Sequence, residues 1–275
     1  MIAGSAAASG SLSPAAITAA FLAACRAELA ALKPGNVHVH AGGHHMEVAQ
    51  FEKAAEAAAP ILADPNLGMG ERIRAAVDVS MAAANCNTNL GIILLCAPLA
   101  AAALQPGPDT LRQRVATVVA SLSQDDAENV YLAIRHANPG GLGRAQQADV
   151  SQTPDIALRD AMALAAPRDR IAANYVTGLA DIFDDHLPVL ARLRARATES
   201  SSAVRPEDTV ASLYLTLLMR FPDSHIRRKF GIETAAHVQS LARAIRVDWE
   251  PFVTPAAYPA LLAFDAFLKT SGWNP

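Results

Sequence analysis

Apolar positions recur at helical spacing along almost the whole chain. Ser13-Pro14 is a cap followed by proline at the first helical position, and Ile17, Phe21, Leu22, Cys25 and Leu29 then keep one face apolar until Lys33-Pro34-Gly35 stops the helix. The spacing predicts a second helix over 46–63, with Val48, Phe51, Ala55 and Ala58 inward, and a third over 70–84. A fourth follows from Asn87 through the longest apolar run, 92–104. That run is interrupted by Pro98 and falls short of the roughly 20 apolar residues that a bilayer requires, so it reads as a core helix. Helices over 108–122 and 123–136 come next, the latter opened by the capping pattern Ser123-Gln124-Asp125-Asp126. Thr153-Pro154 is expected to start further helices that reach about 196, and 205–220, 226–244 and 255–270 complete the set after a serine-rich loop at 199–203. No period-2 run, fixed repeat or shift in composition interrupts this pattern. The expectation is a single all-α domain of ten or more helices over 13–275, behind a flexible tail at 1–12.

Composition narrows the class. Hydrophobic residues make up 52% of the 275, but only 5% are aromatic and much of the rest is alanine, a balance suited to closely packed helices. The net charge of −3 offers nucleic acid or an anionic membrane no general attraction, so any anion site must be local. Cys25, Cys86 and Cys96 are odd in number and form no C-x-x-C, which points to reduced thiols in a cytoplasmic protein. Residues 1–13 have no basic stretch of the kind that opens a secretion signal. A homo-oligomer is compatible with the sequence.

Several stretches carry candidate chemistry, each with a plain structural alternative. Asn87-Thr88-Asn89 stands at the mouth of the apolar helix, where unpaired N–H groups suit an anion, or where Asn87 or Thr88 simply caps. Lys33 with Pro34-Gly35-Asn36 is a phosphate contact or a helix end with a solvated lysine. The glycine-rich loop at 33–45 holds His38, His40, His44 and His45, but no H-E-x-x-H supports a transition-metal site. Asp149-Val150-Ser151 and Pro222-Asp223-Ser224 suit Mg²⁺ shared with substrate phosphates, or are N-caps. Arg168-Asp169-Arg170 and Arg227-Arg228-Lys229 offer cations to a polyphosphate, or are solvated helix faces.

Taken together and in order, these stretches resemble the triphosphoribosyl-dephospho-CoA synthase family. The resemblance rests on Glu28-x-x-x-x-Lys33-Pro34-Gly35-Asn36-Val37-His38, on Asn87-Thr88-Asn89-Leu90-Gly91, and on Asp149-Val150-Ser151. Arg168-Asp169-x-Ile171-Ala172-x-x-Tyr175 and Pro222-Asp223-Ser224-x-Ile226-x-Arg228-Lys229-x-Gly231 complete it, over roughly residues 21–241. It implies an all-α enzyme that binds Mg-ATP and uses ATP as a ribosyl donor: an acceptor hydroxyl attacks the ribose, adenine leaves, and the triphosphate stays on the transferred sugar. By the same resemblance Glu28, Asp149, Asp169 and Asp223 are the catalytic carboxylates, with Glu28, Asp149 and Asp223 also the Mg²⁺ ligands. Lys33, Gly35, Asn36, His38, Asn87, Thr88, Asn89, Gly91, Arg168, Arg228 and Lys229 are the nucleotide-binding set.

The chain departs from the family at Asn89-Leu90, where members serving citrate lyase and malonate decarboxylase typically carry His-Lys, and at Leu32, where proline is usual. The Asn-Thr-Asn-Leu-Gly form looks like a branch found in archaea and methylotrophic bacteria. For that branch the acceptor is dephospho-CoA or the precursor of a C1 cofactor of the tetrahydromethanopterin type. A metal-dependent hydrolase and a non-catalytic nucleotide-binding protein are the rival classes.

Overall fold

A computed structural model describes residues 10–41, 46–199 and 204–274, and among them every regular element is helical; the one bridge, His38 to Ala41, closes a loop. In chain order the α-helices are α1 Pro14–Ala30, α2 Val48–Leu62, α3 Met69–Ala84, α4 Leu90–Leu104, α5 Leu111–Ala120, α6 Gln124–Ala137, α7 Leu158–Ala165, α8 Arg170–Thr177, α9 Leu187–Glu199, α10 Pro206–Arg220, α11 Ser224–Phe230, α12 Ile232–Ala244 and α13 Tyr258–Thr270. The all-α expectation therefore holds. No helix among the described residues is long and apolar enough to cross a membrane.

The chain divides into two compact units, and the division falls inside α1 and α2. The first comprises the described residues of Met1–Leu22, Lys53–Asn138 and Arg144–Ala180. Its centre is α4, whose Ile93, Leu94, Ala97 and Pro98 are buried. Proline at 98 has no N–H, so the carbonyl of Leu94 one turn earlier loses its helical donor. The hydroxyl of Tyr175, which is 0% exposed, donates to that carbonyl at 2.7 Å and repairs the ladder. Gly91 lets α8 come close: a Cβ there would lie 3.2 Å from the Ile171 Cδ1. The Ser123-x-x-Asp126 box forms as the sequence implies. Ser123 Oγ accepts from Asp126 N, Asp126 Oδ2 accepts from Ser123 N at 2.8 Å, and Asp126 Oδ1 also accepts from Gly70 N at 2.7 Å, which ties α6 to α3.

The second unit comprises the described residues of Ala23–Glu52, Pro139–Gly143 and Asp181–Pro275. Two apolar groups hold it: Leu32, Leu215, Trp249, Val253 and Leu261 in one, and Leu218, Ile226, Val238, Phe264 and Leu268 in the other.

Three helix boundaries differ from the sequence reading. Thr153-Pro154 starts no helix; Pro154 O accepts from Gln124 Nε2 and Leu158 N donates to Ser123 O, which straps the segment down until α7 begins at Leu158. The stretch 226–244 is two helices, because Gly231 adopts φ 92° and both ends α11 and opens α12. A single π-helical turn, Asp181–His186, precedes α9.

Candidate active site

The second unit gathers Glu28, Lys33, Gly35, Asn36, His38 and Asp223 around two residues that the sequence did not single out, Tyr214 and Asp265. Glu28 lies in the last turns of α1, and the chain turns at Lys33-Pro34-Gly35, where Gly35 takes φ 87°. That turn sends Lys33 inward. Lys33 is 4% exposed, and its ammonium contacts Glu28 Oε1 directly and donates to Val37 O at 3.3 Å. Burial pushes the Lys33 pKa down and the charge of Glu28 only partly restores it. The Glu28 side chain is 39% exposed, and its Oε2 is without a hydrogen-bond partner among the described residues.

Tyr214, on α10, donates its hydroxyl to Pro34 O at 2.7 Å and accepts from Asn36 Nδ2 at 3.0 Å. Burial raises its pKa, and the neighbouring charges of Asp223, Asp265 and Glu28 raise it further, so the group stays a neutral hydroxyl. Asp223 is the N-cap of α11: its Oδ1 accepts from His225 N at 2.7 Å and Ile226 N at 2.9 Å, and its Oδ2 is unpartnered among the described residues. Lys229 stands near enough to feel that charge, although burial and Arg228 together lower its pKa. Arg228 Nε donates to Gly140 O at 2.9 Å, and a Cβ on Gly141, itself at φ 71°, would come within 2.8 Å of Arg228 O. The glycine pair is thus a saddle for α11.

His38 is 1% exposed. Its Nδ1 accepts from Ala41 N at 3.2 Å, and its Nε2 lies 3.4 Å from Asp265 Oδ1 without a hydrogen bond of good geometry among the described residues. His44 and His45 lie outside the described residues. Among the described residues no three His, Cys, Asp or Glu side chains come together to hold a metal ion.

The remaining sequence candidates belong to the first unit. Asn87 Oδ1 accepts from Leu90 N, the first N–H of α4, at 3.3 Å, while the N-cap itself is Asn89, with Thr88 half-buried between them. Asn89 is 2% exposed; its amide oxygen accepts from Ala55 N at 3.1 Å and its nitrogen donates to Thr88 O at 3.2 Å, which spends the side chain on the protein itself. Asp149 accepts from Ser151 N at 2.8 Å and Ala145 N at 2.5 Å, and the bonds from Ser151 first, then Ala145, bring its pKa down to about 2. Asp169 caps α8 through Ala172 N at 3.0 Å, and the exposed Arg168 bonds back to Leu164 O at 3.2 Å.

Of these two residues only Asp265 carries a signal in the sequence, and a weak one. Asp265 is a charge on the face of α13 otherwise formed by Leu261, Phe264 and Leu268, a position whose helical period calls for an apolar side chain. Tyr214 is one aromatic among apolar neighbours on α10 and gives no such sign.

The comparisons with known proteins agree with this architecture. A crystal structure of a provisionally named triphosphoribosyl-dephospho-CoA synthase from Archaeoglobus fulgidus superposes with a TM-score of 0.58 and 23% sequence identity, covering 81% of this chain and 89% of that one, which establishes a shared fold. No curated protein matches. The family model described as ATP:dephospho-CoA triphosphoribosyl transferase matches residues 14–275, and the chain belongs to that family of ATP-using transferases.

Proposed function

We propose that the chain transfers the 5-triphosphoribosyl group of Mg-ATP to an acceptor hydroxyl, with release of adenine, in the assembly of a prosthetic group or cofactor. One observation carries the reading within this family: in one unit, Glu28 and Asp223 each have one carboxylate oxygen engaged and the other open, with Lys33 and Lys229 beside them. The acceptor oxygen forms a bond to C1′ of the ribose as the C1′–N9 bond breaks. The hydroxyl proton passes to a carboxylate, and adenine leaves with the bonding pair and takes up a proton. Positive charge grows on the ribose, and an open carboxylate oxygen stabilises it. Lys229 and Arg228 face the triphosphate, whose binding energy holds the unreacted part of the substrate in place.

Magnesium fits this arrangement only as part of the substrate. Two carboxylates with open oxygens are hard donors suited to an ion that keeps phosphates in its shell, and no larger set of ligands is assembled among the described residues. The test is adenine release from ATP and Mg²⁺ by the purified protein offered dephospho-CoA, and then an extract of small cofactors, as acceptor. Free phosphate or ADP in place of adenine points to a hydrolase, and saturable ATP binding without turnover to a sensor.

A second reading concerns the acceptor. Leu90 is apolar and half-buried where family members typically carry lysine, which favours an acceptor other than, or additional to, dephospho-CoA. Mass spectrometry of products formed with dephospho-CoA alone, and then with an extract of small cofactors, decides it. Efficient labelling of dephospho-CoA and of nothing else refutes the altered acceptor.

A further inference from the structure

A carboxylate buried in the apolar face of a helix is costly unless its partners are well placed, and replacing such a group by an apolar one is often neutral or favourable. Asp265 is 2% exposed on α13, yet α13 contributes no other charged group to the core of the second unit. All its partners lie on or lead to one segment, residues 33–41. Its Oδ1 accepts from Gly35 N at 2.8 Å and faces His38 Nε2 at 3.4 Å, while its Oδ2 accepts from Lys269 Nζ at 2.9 Å. Lys269 in turn donates to Ala41 O at 3.3 Å. One carboxylate thus bonds the segment near its start, stands against His38 at its middle and, through Lys269, reaches its end. Burial alone would raise the Asp265 pKa; the bonds from His38, Lys269 and Gly35 outweigh it and hold the group below the usual range.

We propose that Asp265 is a positioning residue for the transfer reaction: it fixes the backbone of residues 33–41 so that the Lys33 ammonium meets Glu28 Oε1 and leaves Oε2 open. The inference rests on the reading that Glu28 acts in the reaction. Gly35 sits in the left-handed region, where the backbone is not held by helix or sheet, and its N–H is satisfied by Asp265. Lys33 is separated from Gly35 by one residue, so rotation of the Gly35 peptide plane swings the lysine stem. Without the carboxylate the segment has other ways to satisfy its polar groups, and those do not place Lys33 on Glu28.

The experiment is a double-mutant cycle on the full chain. Asp265→Asn, Asp265→Ala, Glu28→Gln and the Asp265→Asn/Glu28→Gln double variant are compared for kcat, KM for ATP and melting temperature, with adenine measured by mass spectrometry and with dephospho-CoA as acceptor, or the extract of small cofactors where the parent does not turn over dephospho-CoA. Asn is isosteric and keeps an oxygen for Gly35 N–H, so it retains part of the positioning that Ala abolishes. The expected result is a kcat about 100-fold lower in Asp265→Ala and about 10-fold lower in Asp265→Asn, with KM for ATP within about twofold, because misplacement of a reacting group acts on the chemical step. In the Glu28→Gln background the same Asp265→Asn change is expected to cost less than about twofold, since coupled residues do not add. A purely structural role predicts instead that activity follows the folded fraction and that the two losses add.

Full additivity, or a kcat within about twofold of the parent in Asp265→Asn, overturns the proposal. If Asp265→Ala does not fold, the Asn cycle decides alone. Failure of the underlying reading looks different: Glu28→Gln then turns over like the parent, whatever Asp265 does.

Discussion

Replacement of Lys33 by methionine, and separately by alanine, divides the electrostatic role of this lysine from its packing. The Lys33 side chain is 5% exposed but that of its partner Glu28 is 39% exposed, so the pair is only half shielded from water and its net contribution to stability is small. The bond to Val37 O, at 3.3 Å, is at the long end of the range. Methionine matches most of the stem, and removing a buried ammonium offsets the lost contacts, which leaves stability within about 1 kcal/mol of the parent. Alanine empties the space of the stem and forfeits about 2–3 kcal/mol of methylene burial at about 0.8 kcal/mol per group. At about 2–4 °C per kcal/mol for a chain of this size, Lys33→Ala melts about 4–12 °C lower while Lys33→Met moves by a few degrees at most. Turnover separates differently: both variants lose the cation beside Glu28 and fall by about 10- to 150-fold, the range for a lost charge-assisted contact. Scanning calorimetry and adenine release on the same preparations give both numbers. Full turnover in Lys33→Met would falsify the functional role, and equal melting losses in the two variants would show that the stem does not fill the space the structure gives it.

Other predictions follow from the same geometry. Because the Lys33 pKa lies below its ordinary 10.5, the ammonium is lost at lower pH than that of a solvated lysine, and turnover falls on the alkaline side below pH 10.5; Lys33→Arg, measured as a kcat–pH profile, shifts that limb upward. Asp223→Asn keeps the cap on α11, since Asn caps about as well as Asp, so melting is unchanged while adenine release drops by at least about tenfold; retained turnover returns Asp223 to a capping role. Asp149 has its pKa depressed from 3.8 to about 2, so its contribution to stability is complete above 3.8 and is lost as pH falls toward 2; the melting difference between the parent and Asp149→Asn should shrink over that window. Gly141→Ala places a methyl against Arg228 O in a left-handed backbone, and a loss of about 1–3 kcal/mol in urea titration is expected together with weaker ATP binding by calorimetry.

The helices were legible because α1, α3, α4, α6, α10 and α13 each bury a face whose period is written in neighbouring residues, so the signal is local. The break at Gly231 was not: a single glycine inside a helical pattern is no stop by itself, and the shift of phase between Ile226 and Ala235 takes its meaning only from the backbone angle, which shows that one helix has become two. Asn89 shows the opposite limit. A polar residue at a helix mouth reads as a ligand contact, yet its amide is turned inward onto Ala55 N, a partner that no local pattern announces. The clamp at Gly35 is harder still: its partner, Asp265, lies 230 residues away, and the only trace in the sequence is a charge where α13 calls for an apolar side chain.

The carboxylates of the second unit therefore separate into two kinds. Asp265 is closed: both oxygens are saturated by groups that shape the backbone, and a molecule reaching it would first have to displace Gly35, His38 or Lys269. Glu28 and Asp223 are half-open, one oxygen fixed by the protein and the other left unpartnered among the described residues. A proton acceptor or a stabiliser of a cationic ribose needs that half-open state, because a saturated carboxylate has no lone pair to offer and a fully solvated one has no fixed direction. Lys33 joins the two kinds, since its ammonium meets Glu28 while its backbone neighbours are held through Gly35 by Asp265. On the proposal that Glu28 acts in the transfer, its reactivity is controlled from α13, and the coupling between substitutions at 28 and 265, more than the size of either single effect, measures whether the two carboxylates form one device.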